Sequence, residues 1–154
     1  MNWKTILVPT DFSEHSRAGL LLARDIAREQ GARLVVLHVV VDALPALLPD
    51  VAGFRYDEIV EQLAARARES LPGFFPDAER AGLEVEFRVA YGVPHVEICR
   101  EAAEIPADLV VIATHGRSAA LHLLIGSVSE KVVHRAACPV LVARKRADAA
   151  EGRH

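Results

Sequence analysis

Long apolar runs are missing from this 154-residue chain, and no stretch approaches the roughly 20 residues that a membrane span requires. Aromatic residues are scarce at 5%, although 51% of the residues are hydrophobic. Val, Leu, Ile and Ala must therefore supply the core, which suits a sheet buried on both faces better than an antiparallel sheet with one wet face. Cysteine is nearly absent. Cys99 and Cys138 lie far apart in sequence, match no metal-ligand spacing, and are read as small buried side chains. Net charge is only −3, with 25% charged residues, which excludes wholesale disorder and a generally basic nucleic-acid surface. The opening MNWKTILVPTDF has one Lys and meets Pro9 and Asp11 too early for a secretory signal. A cytoplasmic chain with reduced thiols is the expectation, with neither nucleic acid nor membrane as a partner.

Catalytic signatures are missing as well. No G-x-x-x-x-G-K-[ST] supplies a lysine to a terminal phosphate, and the turn after the first apolar run reads VPTDFSEHS rather than G-x-G-x-x-G. A P-loop NTPase and a dinucleotide oxidoreductase are thereby disfavoured. There is no G-x-S-x-G nucleophile elbow. The histidines at 15, 38, 95, 115, 122, 134 and 154 form no H-E-x-x-H or H-x-x-x-H pair. His38, inside an apolar run, is read as a hydrogen-bonded structural residue, and His122 and His134 as surface residues. Glu130 opens a solvated helix face. No catalytic residue is identified.

What is present is regular alternation of aliphatic runs with longer amphipathic stretches. KTILVP (4–9), RLVVLHVV (33–40), LEVEFRVA (83–90), DLVVIA (108–113) and PVLVAR (139–144) are predicted strands. Four are almost continuously apolar, as interior parallel strands are. LEVEFRVA alternates, which sends it to a sheet edge or under a partly exposed helix. Ser13 offers an N-cap for a helix over 14–30 that Gly31 closes, with Leu22, Ala23, Ile26 and Ala27 inward and Arg17, Arg24 and Arg28 in water. Residues 42–53, with two prolines, read as a loop. A helix over 54–71 repeats Ile59, Leu63, Ala67 and Leu71, and Pro72-Gly73 and Pro76 should break or kink it ahead of a short piece over 76–81. Further helices follow over 94–104, with Pro94 near its first position, and over 126–136, with Val128, Val132 and Val133 inward.

The resulting βαβαβαβαβ order gives an α/β fold: one doubly wound, Rossmann-like five-stranded parallel sheet with helices on both faces. A single domain occupies 1–144, followed by a flexible tail over 145–154, and a chain of this length buries about 70% of its unfolded surface. In such a sheet ligands sit beyond the carboxyl ends of the strands, where strand order reverses. Pro9-Thr10-Asp11, Val39 with its successors, and Ala113-Thr114-His115-Gly116 all arrive there. The last of these begins ATHGRSAALHLLIGSVSEKVV, which ends its loop at Gly126-Ser127, just where a helix begins. Free N–H groups at a helix start, with a glycine for close approach, suit an anion. Ser127 and Ser129 add hydroxyls, and His115 and Arg117 could add positive charge, although Gly126-Ser127 could equally be a plain helix cap. Asp11 fits either an ordinary turn or an acceptor for a ribose hydroxyl or an adenine amine.

On these segments (ILVPTDFSEHS, VVLHVV and ATHGRSAALHLLIGSVSEKVVHRAACPVLVAR) the chain resembles the universal stress protein family over nearly its whole length. The ATP-binding branch carries G, two residues, G, nine residues, then G followed by Ser or Thr. Gly116, residues 117–125 and Gly126-Ser127 match, and Ala113 stands at the first glycine. Were Ala113 to need φ > 0, strain of order 1 kcal/mol would follow. The resemblance implies that Asp11 and Val39 contact the adenosine end, with Pro9 and Thr10 forming that wall. Ile112 and Ala113 would back the base and ribose. Gly116, Arg117, Gly126, Ser127, Val128 and Ser129, with His115 beside them, would surround the phosphates. It further implies ATP or another adenine nucleotide, with Mg²⁺ beside a triphosphate, and a homodimer through 139–144, an aliphatic edge that needs covering. The expected role is a nucleotide-dependent stress-response switch or sensor. Two alternatives are a nucleotide-free dimeric interaction module and a slow ATP hydrolase. The S-G-G-x-D-S loop of adenine-nucleotide hydrolases of related fold is absent.

Overall fold

The computed structural model describes residues 2–41, 55–114 and 125–144. Strands β1 (Thr5–Pro9), β2 (Arg33–Val41), β3 (Val85–Gly92), β4 (Leu109–Ala113) and β5 (Val140–Ala143) form one sheet in the order β3-β2-β1-β4-β5. Every neighbouring pair is parallel, with Leu7 opposite Val35 and Val110, for example. The helices are α1 (Glu14–Gln30), α2 (Tyr56–Phe74), α3 (Asp77–Arg80), α4 (Pro94–Glu104) and α5 (Ser127–Arg135). This is the doubly wound architecture that the aliphatic strands called for.

Strand residues alternate between two buried layers. Ile6, Val8, Leu34, Val36 and Val111 pack with Leu20, Ala23, Leu71 and Phe75 of the α1–α2 side. Leu7, Val35, Leu37, Val39, Val110 and Ile112 pack with Ile98, Ala102 and Val132 of the α4–α5 side. Burial on both faces is why these strands read as unbroken apolar runs. β3, the alternating segment, does lie at an edge. Its Arg88 bonds to Glu86 and to Glu101 of α4, and Arg33 of β2 also reaches Glu86. Such a charged face discourages a further strand from adding there.

Local signals place the helix ends. The Ser13 hydroxyl accepts the Ser16 N–H at the start of α1, and Gly31 ends it at φ 65°. Pro94 occupies the first turn of α4. The structure corrects four packing expectations. Leu22 is 39% exposed, because the buried stripe of α1 is Ser16, Gly19, Leu20, Ala23 and Ala27. One residue of a helix turns through about 100°, so Leu22 cannot share the Ala23 face. Val133 is exposed for the same reason beside buried Val132, and Leu63 is likewise exposed on α2 beside Ala64. Arg17 is not in open water: it donates to the Phe74 carbonyl and pairs with Glu79.

A fifth correction concerns Pro72, which stands inside α2, so the helix continues to Phe74 instead of stopping at 71. Pro72 forfeits its own N–H bond to the carbonyl of Arg68, yet the Phe75 N–H still closes the last turn onto the Leu71 carbonyl at 3.0 Å. Cys99 and Cys138 are half-buried rather than buried, and burial pushes both thiols up from their ordinary pKa. The loop expected over 42–53 and the tail over 145–154 lie outside the described residues. Among the described residues no helix is long and apolar enough to cross a membrane.

Candidate functional site

Strand order reverses at β1, whose neighbours are β2 and β4. From β1 the chain turns into α1 on one face, whereas α5, which follows β4, packs on the other. That divergence leaves a cavity of about 480 Å³ at the carboxyl ends of the strands. Pro9, Thr10 and Asp11 line it from β1, Val39 from β2, Ile112 and Ala113 from β4, and Gly126, Val128 and Ser129 from the start of α5. Nine of the thirteen positions singled out in the sequence therefore share one cavity wall. Ser127 is exposed in the first turn of α5 and is not part of that wall. His115, Gly116 and Arg117 lie outside the described residues.

The β1–α1 turn is tightly bonded. The Thr10 N–H donates to the Leu37 carbonyl at 2.8 Å, extending the β1–β2 ladder by one residue. The buried Thr10 and Ser16 hydroxyls share a bond of 2.9 Å, and the Phe12 N–H donates to the Thr10 hydroxyl at 3.0 Å. Asp11 Oδ1 accepts the Ser13 N–H at 3.0 Å, an Asx turn, while the same side chain lines the cavity. Asp11 is thus a turn residue whose side chain also borders the cavity.

The β4–α5 junction is the other wall. The Gly126 N–H donates to the Thr114 carbonyl at 2.5 Å, which closes the connection between them, and the Thr114 N–H donates to Ala143 of β5 at 2.9 Å. Gly126 is the N-cap of α5 at φ −70° and ψ 156°, and no side chain among the described residues caps the helix. Intrahelical bonding begins with the Glu130 N–H, which donates to the Gly126 carbonyl at 2.9 Å. The first turn therefore presents backbone N–H groups and the positive end of the helix dipole beside the cavity. The buried Ser129 hydroxyl donates to the Ala113 carbonyl at 2.6 Å. Its proton is thus committed to holding α5 against the end of β4, whereas the Ser127 hydroxyl is in solvent.

Ala113 is not strained. Phe12, at 63°, is the only non-glycine residue with positive φ among the described residues. The Ala113 methyl lies towards α1, where Gly19 leaves room for it: a Cβ on Gly19 would stand 3.8 Å away. Replacing glycine by alanine here fills space under α1.

His38, Val40, Val41, Ser16, Leu63, Pro94 and Ile98 also line the cavity and were not singled out as site residues in the sequence. The apolar ones are continuous with core runs, so nothing in their pattern sets them apart. His38 did carry a signal, as the one ionisable residue between Leu34 and Val41 of β2. No lysine or arginine among the described residues lines the cavity, and no three metal-ligating side chains cluster among them. The site is a largely apolar cavity lined by one carboxylate and by a helix N-terminus, a setting suited to an apolar-faced ring carrying an anionic group.

Comparison with known proteins gives a consistent outcome. The model of the universal stress protein family matches residues 2–144. Universal stress protein MJ0531 of Methanocaldococcus jannaschii is 35% identical over 93% of this chain and 83% of its own length. The solved structure of MJ0577, a universal stress protein of the same organism, is similar at a TM-score of 0.82 and 26% identity, covering 96% of this chain and all of that one (100%). A universal stress protein solved in complex with cAMP is similar at a TM-score of 0.65 and 25% identity, covering 95% of this chain and 100% of the other.

Proposed function

The chain belongs to the universal stress protein family, and from that premise we propose that it binds an adenine nucleotide, ATP foremost, in the crevice between β1 and β4, and acts as a nucleotide-dependent stress-response switch. The observation that carries this reading is the start of α5. A helix N-terminus whose N-cap is glycine borders a largely apolar cavity that the Asp11 carboxylate also lines. A related universal stress protein has been solved with cAMP, which supports an adenine nucleotide as the ligand class.

Each wall then has a task. Val39 and Ile112 sandwich the base in place of aromatic rings, and Pro9 and Thr10 close that end. Asp11 accepts from a ribose hydroxyl. The N–H groups of Ser127, Val128 and Ser129 and the Ser127 hydroxyl hold phosphate oxygens, and the sequence motif adds His115, Gly116 and Arg117 to the proposed phosphate contacts. A bound nucleotide supplies negative charge at the helix start, where the dipole favours it. Mg²⁺ fits only as a companion of the triphosphate, held by phosphate oxygens and water, because Asp11 is the one carboxylate among the described cavity residues.

A switch needs a route from ligand to partner. The Thr114 N–H bonds directly to the Ala143 carbonyl of β5, and β5 is one edge of the sheet, unpaired on its outer side among the described residues, with Leu141 36% exposed. Those bonds support self-association through residues 139–144 as the state that the nucleotide biases. A cytoplasmic address is part of the same proposal. Slow hydrolysis is a second possibility only in so far as water can enter the crevice; no side chain described in it forms a base–nucleophile pair.

The direct test is to acid-extract the protein as purified and identify released nucleotides by anion-exchange chromatography. Near-stoichiometric adenine nucleotide is expected. A nucleotide-free protein that also shows no thermal shift with millimolar ATP, ADP or AMP overturns the proposal.

A further inference from the structure

His38 interrupts an otherwise aliphatic strand, and its surroundings explain why. Its Nδ1 lies 2.8 Å from the Thr10 carbonyl, across the sheet from the residue that leads into Asp11. A carbonyl only accepts, so Nδ1 carries the proton and donates. The imidazole also lies against the Phe12 ring, with centroids 4.6 Å apart and planes tilted by 40°. Phe12 itself sits at φ 63°, a conformation that costs a bulky residue strain and persists only where surrounding contacts over-determine it. Those contacts are the His38 ring on one side and the edge of Phe74 on another, at 5.4 Å. The peptide that joins Thr10 to Asp11 is therefore held at its carbonyl by His38, and the strained residue after Asp11 is braced by the same ring.

We propose that His38 is a positioning residue for the ligand: it latches the Thr10–Asp11 peptide so that the Asp11 carboxylate faces the crevice. The latch acts through Asp11 and needs a donor at the Nδ1 position, not an imidazole as such. Leu in its place fills space but leaves the Thr10 carbonyl without its donor. Asn puts an amide N–H the same number of bonds from Cα as Nδ1 and restores it. The inference rests on the nucleotide reading for its consequence, yet the latch itself exists without ligand.

The experiment has two arms on the full chain. Hydrogen exchange without ligand reads the Phe12 and Ser13 amides, whose acceptors are the Thr10 hydroxyl and Asp11 Oδ1. His38→Leu should speed exchange at both amides by about tenfold, and His38→Asn should restore most of the protection. Calorimetric titration with ATP forms the second arm. His38→Leu should weaken binding by about tenfold and His38→Asn by less than about threefold, and in an Asp11→Ala background His38→Leu should cost less than about twofold more. Full additivity with Asp11→Ala, or equal losses for Leu and Asn, overturns the positioning role. If the wild-type protein binds no adenine nucleotide, the nucleotide reading fails, and the exchange arm still decides whether the latch is real. Unchanged exchange in His38→Leu rejects the latch outright.

Discussion

The hydroxyls of Ser127 and Ser129, two residues apart at the start of α5, should respond to removal in opposite ways. Ser129 is buried, and its hydroxyl donates to the Ala113 carbonyl at 2.6 Å. Ser129→Ala deletes that bond and leaves a buried carbonyl lone pair without its partner, at a combined cost of about 2 kcal/mol. For a chain of this size each kcal/mol moves the Tm by about 2–4 °C, so a drop of about 4–8 °C is expected by scanning calorimetry. Ser127 is exposed, and its hydroxyl holds nothing inside the fold that the structure records. Ser127→Ala should leave the Tm within about 1 °C of wild type and weaken ATP binding by about three- to tenfold, the worth of one hydrogen bond to a charged group after solvent exchange. The reasoning is refuted if Ser129→Ala melts within about 1 °C of wild type. It is equally refuted if Ser127→Ala is the more destabilising of the two.

Other consequences concern the frame that holds the crevice. Asp108 accepts the Lys4 and Thr5 N–H groups at 2.8 and 2.9 Å, and these bonds hold its carboxyl below the ordinary value of 3.8. A carboxyl depressed in the folded state stabilises above its unfolded pKa and loses that contribution as pH falls through the folded pKa. Wild-type stability should therefore decline below about pH 4, and urea melts of Asp108→Asn across pH 2–6 should show a shallower acid slope. Glu101, only 7% exposed, accepts from both Arg88 and Arg100. Arg88→Met should cost about 2 kcal/mol in urea denaturation, because it strips a partner from a buried carboxylate, and adding Glu101→Gln should recover part of the loss. Leu141→Asp, on the open β5 edge, should shift the protein to a monomer in sedimentation velocity while leaving its circular dichroism unchanged.

Strand identity and sheet class were legible because burial on both faces leaves an unbroken aliphatic run, and β3 betrayed its edge position by alternating Glu84, Glu86 and Arg88 with apolar residues. The caps of α1 were equally plain, since Ser13 and Gly31 serve local bonds that depend on nothing distant. Which helix face points inward was less legible. Side-chain size suggested Leu22 and Val133, but α1 packs through Gly19, Ala23 and Ala27 because small residues let a helix approach β4 closely. Pro72 misled because a proline forfeits only its own N–H bond, and the residues after it can still close onto upstream carbonyls, as Phe75 does on Leu71. In the site, Asp11 and the Gly126-Ser127-Val128-Ser129 segment were visible as turn and helix-start chemistry. His38 acquires its function-bearing neighbours only when β1 and β2 pair, a contact across 28 residues that no local pattern records.

Isothermal titration of ATP into wild-type protein and into Gly126→Val bears on the whole proposal at once. Gly126 sits at φ −70° and ψ 156°, a conformation open to any L residue, so the variant should keep its fold and its circular dichroism. Its added side chain stands at the start of α5, where a phosphate must come close to the backbone N–H groups. Saturable one-to-one binding by the wild type, lost by about a hundredfold or more in the folded variant, is the outcome expected of a phosphate site at this helix. Equal binding by both proteins, or none by either, contradicts it.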